Sequence, residues 1–344
     1  MADFQLVDTL VLSLDVDNNF RCAVIDTANG FAYFGNDTSP GTITKINLSN
    51  FTRVGMLTLN SGEGSLRCAV IDTINGFAYF GTNTTPAYVI KINLSTFTRV
   101  GAVSVVGNNL FSGVIDTTNG FAYFGDNANP SNIYKINLST FTLSATLTLN
   151  TGERILYSAV IDTANGFAYF GTNIAPAYVV KINLSTFTRV GAVGIVYNGE
   201  NGLSTATIDA VNGFAYFGDN ANPGPSKISK INLSTFTLSA TLTLNTGDNH
   251  LYSAQIDSSY AYFLDGLNPV KMIRIRLSDF SRVDEVAGTG IANTSGYASV
   301  IDITNKYLYF TSLQAGIIPA NLYKASLETP YPYGRSIPVL DKVI

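Results

Sequence analysis

The 344-residue chain has no tryptophan, one histidine and two cysteines, and only 13% of its residues are charged. Each shortage excludes something. One histidine, His250, cannot build a multi-histidine metal centre. A Ser–His–Asp triad would have to use it, and no Gly-x-Ser-x-Gly elbow supports one. Gly288-Thr289-Gly290 lacks the third glycine of a dinucleotide fingerprint, so no cofactor is expected. A net charge of −4 leaves no basic footprint for nucleic acid and no polybasic patch for a membrane surface. No apolar run approaches the roughly 18 residues of a membrane span. The opening Met-Ala-Asp-Phe-Gln-Leu has neither the positive nor the apolar segment of a secretory signal.

What the chain has in abundance is itself. An apolar run ending in Ile-Asp, a turn and an aromatic strand recur seven times, marked by Asp26, Asp72, Asp116, Asp162, Asp209, Asp257 and Asp302. A period in the forties with several short strands per copy signals a β-propeller. In residues 156–190, strands are expected at 156–162, 167–171 and 178–184, with a fourth from 187. Asn165-Gly166 supplies the first turn. Phe167 and Tyr169 face one way and Ala168 and Phe170 the other, so both faces are apolar, as in a sheet sandwiched between two others.

The fold expected is therefore all-β, a seven-bladed propeller of four-stranded antiparallel blades. The blades span approximately 21–59, 67–106, 110–149, 156–196, 203–244, 251–287 and 296–327. The last copy lacks a fourth strand. The segment from Phe4 to Leu12 matches that from Phe51 to Leu59, so residues 4–14 should complete the last blade and close the ring. Residues 328–344, with Pro330 and Pro332, form a tail that packs across a face or docks on a neighbouring subunit. A two-blade period overlies the single one. Gly-Asp-Asn-Ala-Asn-Pro recurs at 125–130 and 218–223, and Arg-Val-Gly-Ala-Val at 99–103 and 189–193.

The Val-Ile-Asp, Asn-Gly-Phe-Ala-Tyr-Phe-Gly and Lys-Ile-Asn-Leu-Ser-Thr-Phe-Thr segments resemble the YVTN-type propeller repeats of surface-layer and other extracellular proteins. The resemblance spans about residues 4–327. It implies a propeller and, more loosely, an adhesive or display role. WD40 repeats fit worse, because a chain without tryptophan has no Trp-Asp dipeptide.

Candidate sites compete with structural readings. The repeated Asp residues would ring the channel as cation ligands, or accept hydrogen bonds within the turn that follows each; the second is simpler. Asp15-Val16-Asp17-Asn18-Asn19 begins like a calcium loop, but Phe20 stands where glycine is needed. Cys22 and Cys68 occupy equivalent places in two Arg-Cys-Ala-Val-Ile-Asp segments and read as small buried residues. Asn-Leu-Ser, five times repeated, fits the glycosylation pattern and, more simply, a hairpin.

The best binding candidate is the position five residues before each repeated Asp: Arg21, Arg67, Phe111, Tyr157, Ser204, Tyr252 and Tyr297. Here the copies disagree, and six of seven choices are aromatic or Arg. These side chains should surround one mouth of the central channel, where they either pack between blades or bind sugars or peptides. The leading expectation is a non-enzymatic display or recognition module. It would be exposed on an extracellular surface or a virion and bind a protein or glycan partner. The alternatives are a propeller lyase or hydrolase using Glu63, Glu153, Glu200 or His250 at the mouth, and a capsid or filament subunit docked by its tail.

Overall fold

In the computed structural model, residues 4–12, 19–107, 109–195, 202–221, 224–289, 294–314 and 320–327 are described. The Asp15–Asn18 segment, Glu200 and the tail 328–344 lie outside them.

Seven antiparallel sheets stand around a common axis. Blade 1 comprises the strands Phe20–Asp26, Phe31–Asn36, Thr42–Asn47 and Thr52–Thr58, paired in chain order. Blade 4 comprises Leu156–Asp162, Phe167–Thr172, Ala177–Asn183 and Thr188–Ile195, within a residue or two of the sequence expectation. The first strands are innermost. Each packs on the first strand of the next blade, and Ser299–Asp302 of blade 7 packs back on Phe20–Asp26 of blade 1. The sequence Phe-Ala-Tyr-Phe does what its alternation implies. Ala168 and Phe170 enter the core between blades 3 and 4, whereas Tyr169 enters the core between blades 4 and 5. Seven such cores fill the seven junctions.

The glycine that ends this motif is set by packing. A Cβ on Gly35 would lie 2.7 Å from Cys22 Sγ and 3.1 Å from Leu66 of the next blade, and Gly81, Gly125 and Gly171 are equally confined.

One aromatic contact spans every junction. Tyr33 meets Phe97, Tyr79 meets Phe141, Tyr123 meets Phe187, Tyr169 meets Phe236, Tyr216 meets Phe280 and Tyr309 meets Phe51, with ring centroids 5.6–5.9 Å apart. These six phenylalanines all sit at φ between 49° and 51°, in the left-handed region bulky residues seldom enter. The seventh contact is Phe4 on Tyr262 at 5.4 Å. The N-terminal strand Gln5–Val11 pairs antiparallel with Asn321–Ser326 as the outer strand of blade 7. Phe4 thus takes the place a hairpin phenylalanine has elsewhere, and the ring is closed.

The two-blade period has a physical counterpart. Glu63, in the loop from blade 1 to blade 2, accepts two hydrogen bonds from Arg99 on the outer strand of blade 2. Glu153 and Arg189 repeat this at blades 3 and 4, and Asp248 and Arg282 at blades 5 and 6.

Candidate functional site: the channel mouth

The seven variable residues converge. Arg21, Arg67, Phe111, Tyr157, Ser204, Tyr252 and Tyr297 line one cavity of about 220 Å³ at the start of the innermost strands, together with Asn173 and Asn220. A backbone irregularity brings them there. In blades 1 to 6 the pairing of first and second strands shifts register at this residue, as between Leu110 and Ser112 around Phe111 and between Leu156 and Ser158 around Tyr157. Such a bulge leaves one residue unpaired and re-aims its side chain. Flanking residues keep their alternation, with Leu110 and Leu156 fully buried.

The side chains form an arc of stacked planes. Phe111 and Tyr157 stack at 4.3 Å and 15°, and Tyr252 and Tyr297 at 4.2 Å and 27°. The Arg21 guanidinium lies 3.8 Å from the Tyr297 ring centre, and that of Arg67 lies 6.0 Å from Phe111. Asp37 joins the arginines, with Oδ2 2.6 Å from Arg67 Nη2 and 3.4 Å from Arg21 Nε. The arc therefore runs from Tyr252 through Tyr297, Arg21, Asp37, Arg67 and Phe111 to Tyr157. Among the described residues it is open only in the sector of blade 5. There Ser204 is buried and its hydroxyl donates to the carbonyls of Leu251 and Gly218. Tyr157 leans back toward blade 3 and Tyr252 forward toward blade 7, which widens the opening.

The electrostatics follow the geometry. Burial pushes the Tyr157 phenol up, and Arg67 and Arg21 oppose that rise. Burial raises Tyr252 further, with Tyr297 adding to it. Two guanidiniums share one carboxylate, so the described side chains of the arc carry a net positive charge in a chain of net charge −4. Below the arc, a lumen of about 180 Å³ is lined mainly by small residues such as Ala23, Ala69, Ser158 and Ala254.

His250 sits beside the mouth, half-buried rather than on the open surface of its loop. Its Nδ1 is 3.0 Å from the Tyr252 hydroxyl, and burial lowers its pKa from the ordinary 6.5. It positions Tyr252.

The other candidates resolve into structural roles. Six of the repeated Asp residues accept hydrogen bonds from the backbone and side-chain nitrogens of the Asn three positions on, as Asp26 does from Asn29 at 3.1 and 2.8 Å. Asp257 instead accepts from Ser259 and Tyr260 nitrogens and the Tyr262 hydroxyl. Glu63 and Glu153 are held in their arginine pairs. Cys22 and Cys68 are free and buried, and burial pushes the Cys22 thiol up to about 12. Asn47, Asn93, Asn137, Asn183 and Asn232 accept from the Ser two positions on, closing the hairpins. Among the described residues, no group of three or more His, Cys, Asp and Glu is placed to hold a metal ion.

Sequence reasoning missed Asp37, Asn173, Asn220 and Gly266. A signal for the first existed. The residue two after the glycine of Phe-Gly is Asn83, Asn127, Asn173 and Asn220 in blades 2 to 5 but Asp37 in blade 1. Blade 6 has Gly266 there, where a Cβ would lie 2.4 Å from the Tyr252 ring. The glycine makes room for the tyrosine. No family model matches the chain, and no curated protein matches it. The resemblance to YVTN-type repeats therefore rests on the quoted segments and on the seven-bladed architecture alone.

Proposed function

We propose that this propeller is a recognition module that binds a protein or glycan partner at its channel mouth and performs no chemistry on it. The observation that carries the reading is a coincidence of two patterns. Blades 1 to 5 are near-copies along most of their length, and within their repeated first strands a position of wide divergence is the one where, with its counterparts in blades 6 and 7, seven side chains meet in a single cavity. Divergence there toward Arg, Tyr and Phe suits binding, since these residues supply large rigid contact area and charge-assisted hydrogen bonds. The resemblance to YVTN-type repeats points the same way. Display on a cell surface or a virion is the setting proposed.

A glycan array and a panel of immobilised surface proteins, probed with the purified chain, test this. Wild type and a control such as Ile74→Ser, an exposed residue in the turn after Asp72, should give the same hits. Tyr157→Ser and Tyr252→Ser should lose them at least tenfold while remaining folded by circular dichroism. Hits unchanged by both mouth substitutions, or no hit for wild type, would contradict the reading.

A further inference from the structure

The opening in the arc has a definite shape and charge. Neighbouring rings stand 4.2–4.3 Å apart, so a sector without a ring among the described residues leaves room for the thickness of one more between Tyr157 and Tyr252, whose ring also meets His250 at 5.9 Å. In a seven-membered ring, blade 5 lies across the channel from the junction of blades 1 and 2. The opening therefore looks directly at Arg21 and Arg67, which share Asp37 and keep one positive charge between them. Asn173 and Asn220 border the same cavity and bring carboxamides to its edge. A cavity of about 150 Å³ admits benzene; the mouth, at about 220 Å³, has space for one substituted six-membered ring.

From this arrangement we infer that the mouth takes the acidic terminal residue of a glycan: one sugar ring bearing a carboxylate, seated in the sector of Ser204. This rests on the recognition reading above and names its ligand class. The C–H faces of the ring lie against Tyr157 and Tyr252. The carboxylate crosses the mouth to Arg21 and Arg67, where a charge-assisted pair forms. Ring hydroxyls meet Asn173, Asn220 and the phenols, which an aromatic acid of the same shape would leave without partners.

Titration calorimetry with methyl glucuronide, methyl glucoside and benzoate tests the assignment. Methyl glucuronide should bind at least tenfold more tightly than either of the others. Arg67→Gln should bring the glucuronide down to the level of the glucoside. Ser204→Tyr supplies the missing seventh plane from the protein itself and should abolish binding, with a thermal melt showing the fold retained; if that variant does not fold, Asn220→Ala, at the rim, should weaken the glucuronide severalfold. Equal affinity for glucuronide and glucoside, a preference for benzoate, or binding that survives Ser204→Tyr would each overturn the assignment. If an array ligand depends on Tyr157 and Tyr252 while glucuronide does not bind, recognition at the mouth stands and the acidic sugar falls. If no ligand depends on those tyrosines, both fall.

Discussion

At the scale of single residues, several departures from the repeat gather at the channel mouth. Gly266 stands where blades 2 to 5 have asparagine, and the Tyr252 ring occupies the space. Gly266→Ala should displace that ring and cost about 1–3 kcal/mol, the usual range for overpacking a filled site, read as a shift in denaturant midpoint. An unchanged midpoint would mean that Tyr252 has somewhere else to go. Asp265, next to Gly266, is fully buried, and burial raises its carboxyl from 3.8 to about 6, against opposing hydrogen bonds from Leu267 and Asn249 and the nearby Lys271. A raised folded-state value means a contribution fully present below pH 3.8 and lost as pH rises through about 6. Stability should therefore decline less between pH 4 and 7 in Asp265→Asn than in wild type, and parallel profiles would contradict the assignment. Much of this scale was legible in the sequence. The seven variable positions could be read from the repeat, and Asp37 stands out as the acid among asparagines. What could not be read is direction. Leu-Tyr-Ser-Ala-Val alternates like an ordinary strand, and nothing in it marks the bulge at Tyr157 or says that this ring leans toward Phe111 rather than Ser204.

At the scale of the blade, hydrophobic burial is supplemented by a repeated set of polar ties. The third-strand lysines lie over the aromatic residue that opens the second strand, Lys45 over Phe31 and Lys91 over Phe77 at 3.9 Å. Lys45 and Lys91 also donate to Leu94 and Leu138 of the following blades. Among the described residues, the carboxylate–arginine pairs of this kind tie the junctions of blades 1 and 2, 3 and 4, and 5 and 6. Glu63 is nearly fully buried whereas Arg99 is a quarter exposed. Arg99→Ala strands a buried carboxylate and should cost about 3 kcal/mol, the lower end for breaking a buried pair. Replacing both residues by apolar ones of similar volume should cost far less. Equal losses in the single and double variants, measured by urea unfolding, would show that the pair is not what holds that junction. The strands and their order were legible because period-two alternation and Asn-Gly turns mark them plainly. These pairs were not, because Glu63 and Arg99 are distant in sequence and meet only once two blades stack.

At the scale of the whole molecule, closure decides everything else. The strand Gln5–Val11 and Phe4 complete blade 7, and only a closed ring brings seven first strands to one axis. This was legible in the match between Phe4–Leu12 and Phe51–Leu59, since the missing outer strand left only one source. Phe4→Ala removes the one aromatic spoke that is not built into a hairpin and should cost about 3–5 kcal/mol. Deleting residues 1–12 should expose the edge of Asn321–Ser326 and turn a cooperative melt into aggregation. A cooperative monomeric melt after that deletion would place the closure elsewhere. The ring also bears on function. Features repeated on each blade would offer up to seven equivalent sites, and those following the two-blade period about three, whereas the mouth is unique. The most direct measurement is thus the number of ligand molecules bound per chain, by titration calorimetry with the tightest ligand from the array. One per chain, falling to none in Tyr157→Ser/Tyr252→Ser, is the outcome expected of recognition at the channel mouth. A value of several per chain, or one that persists in the double variant, would contradict it.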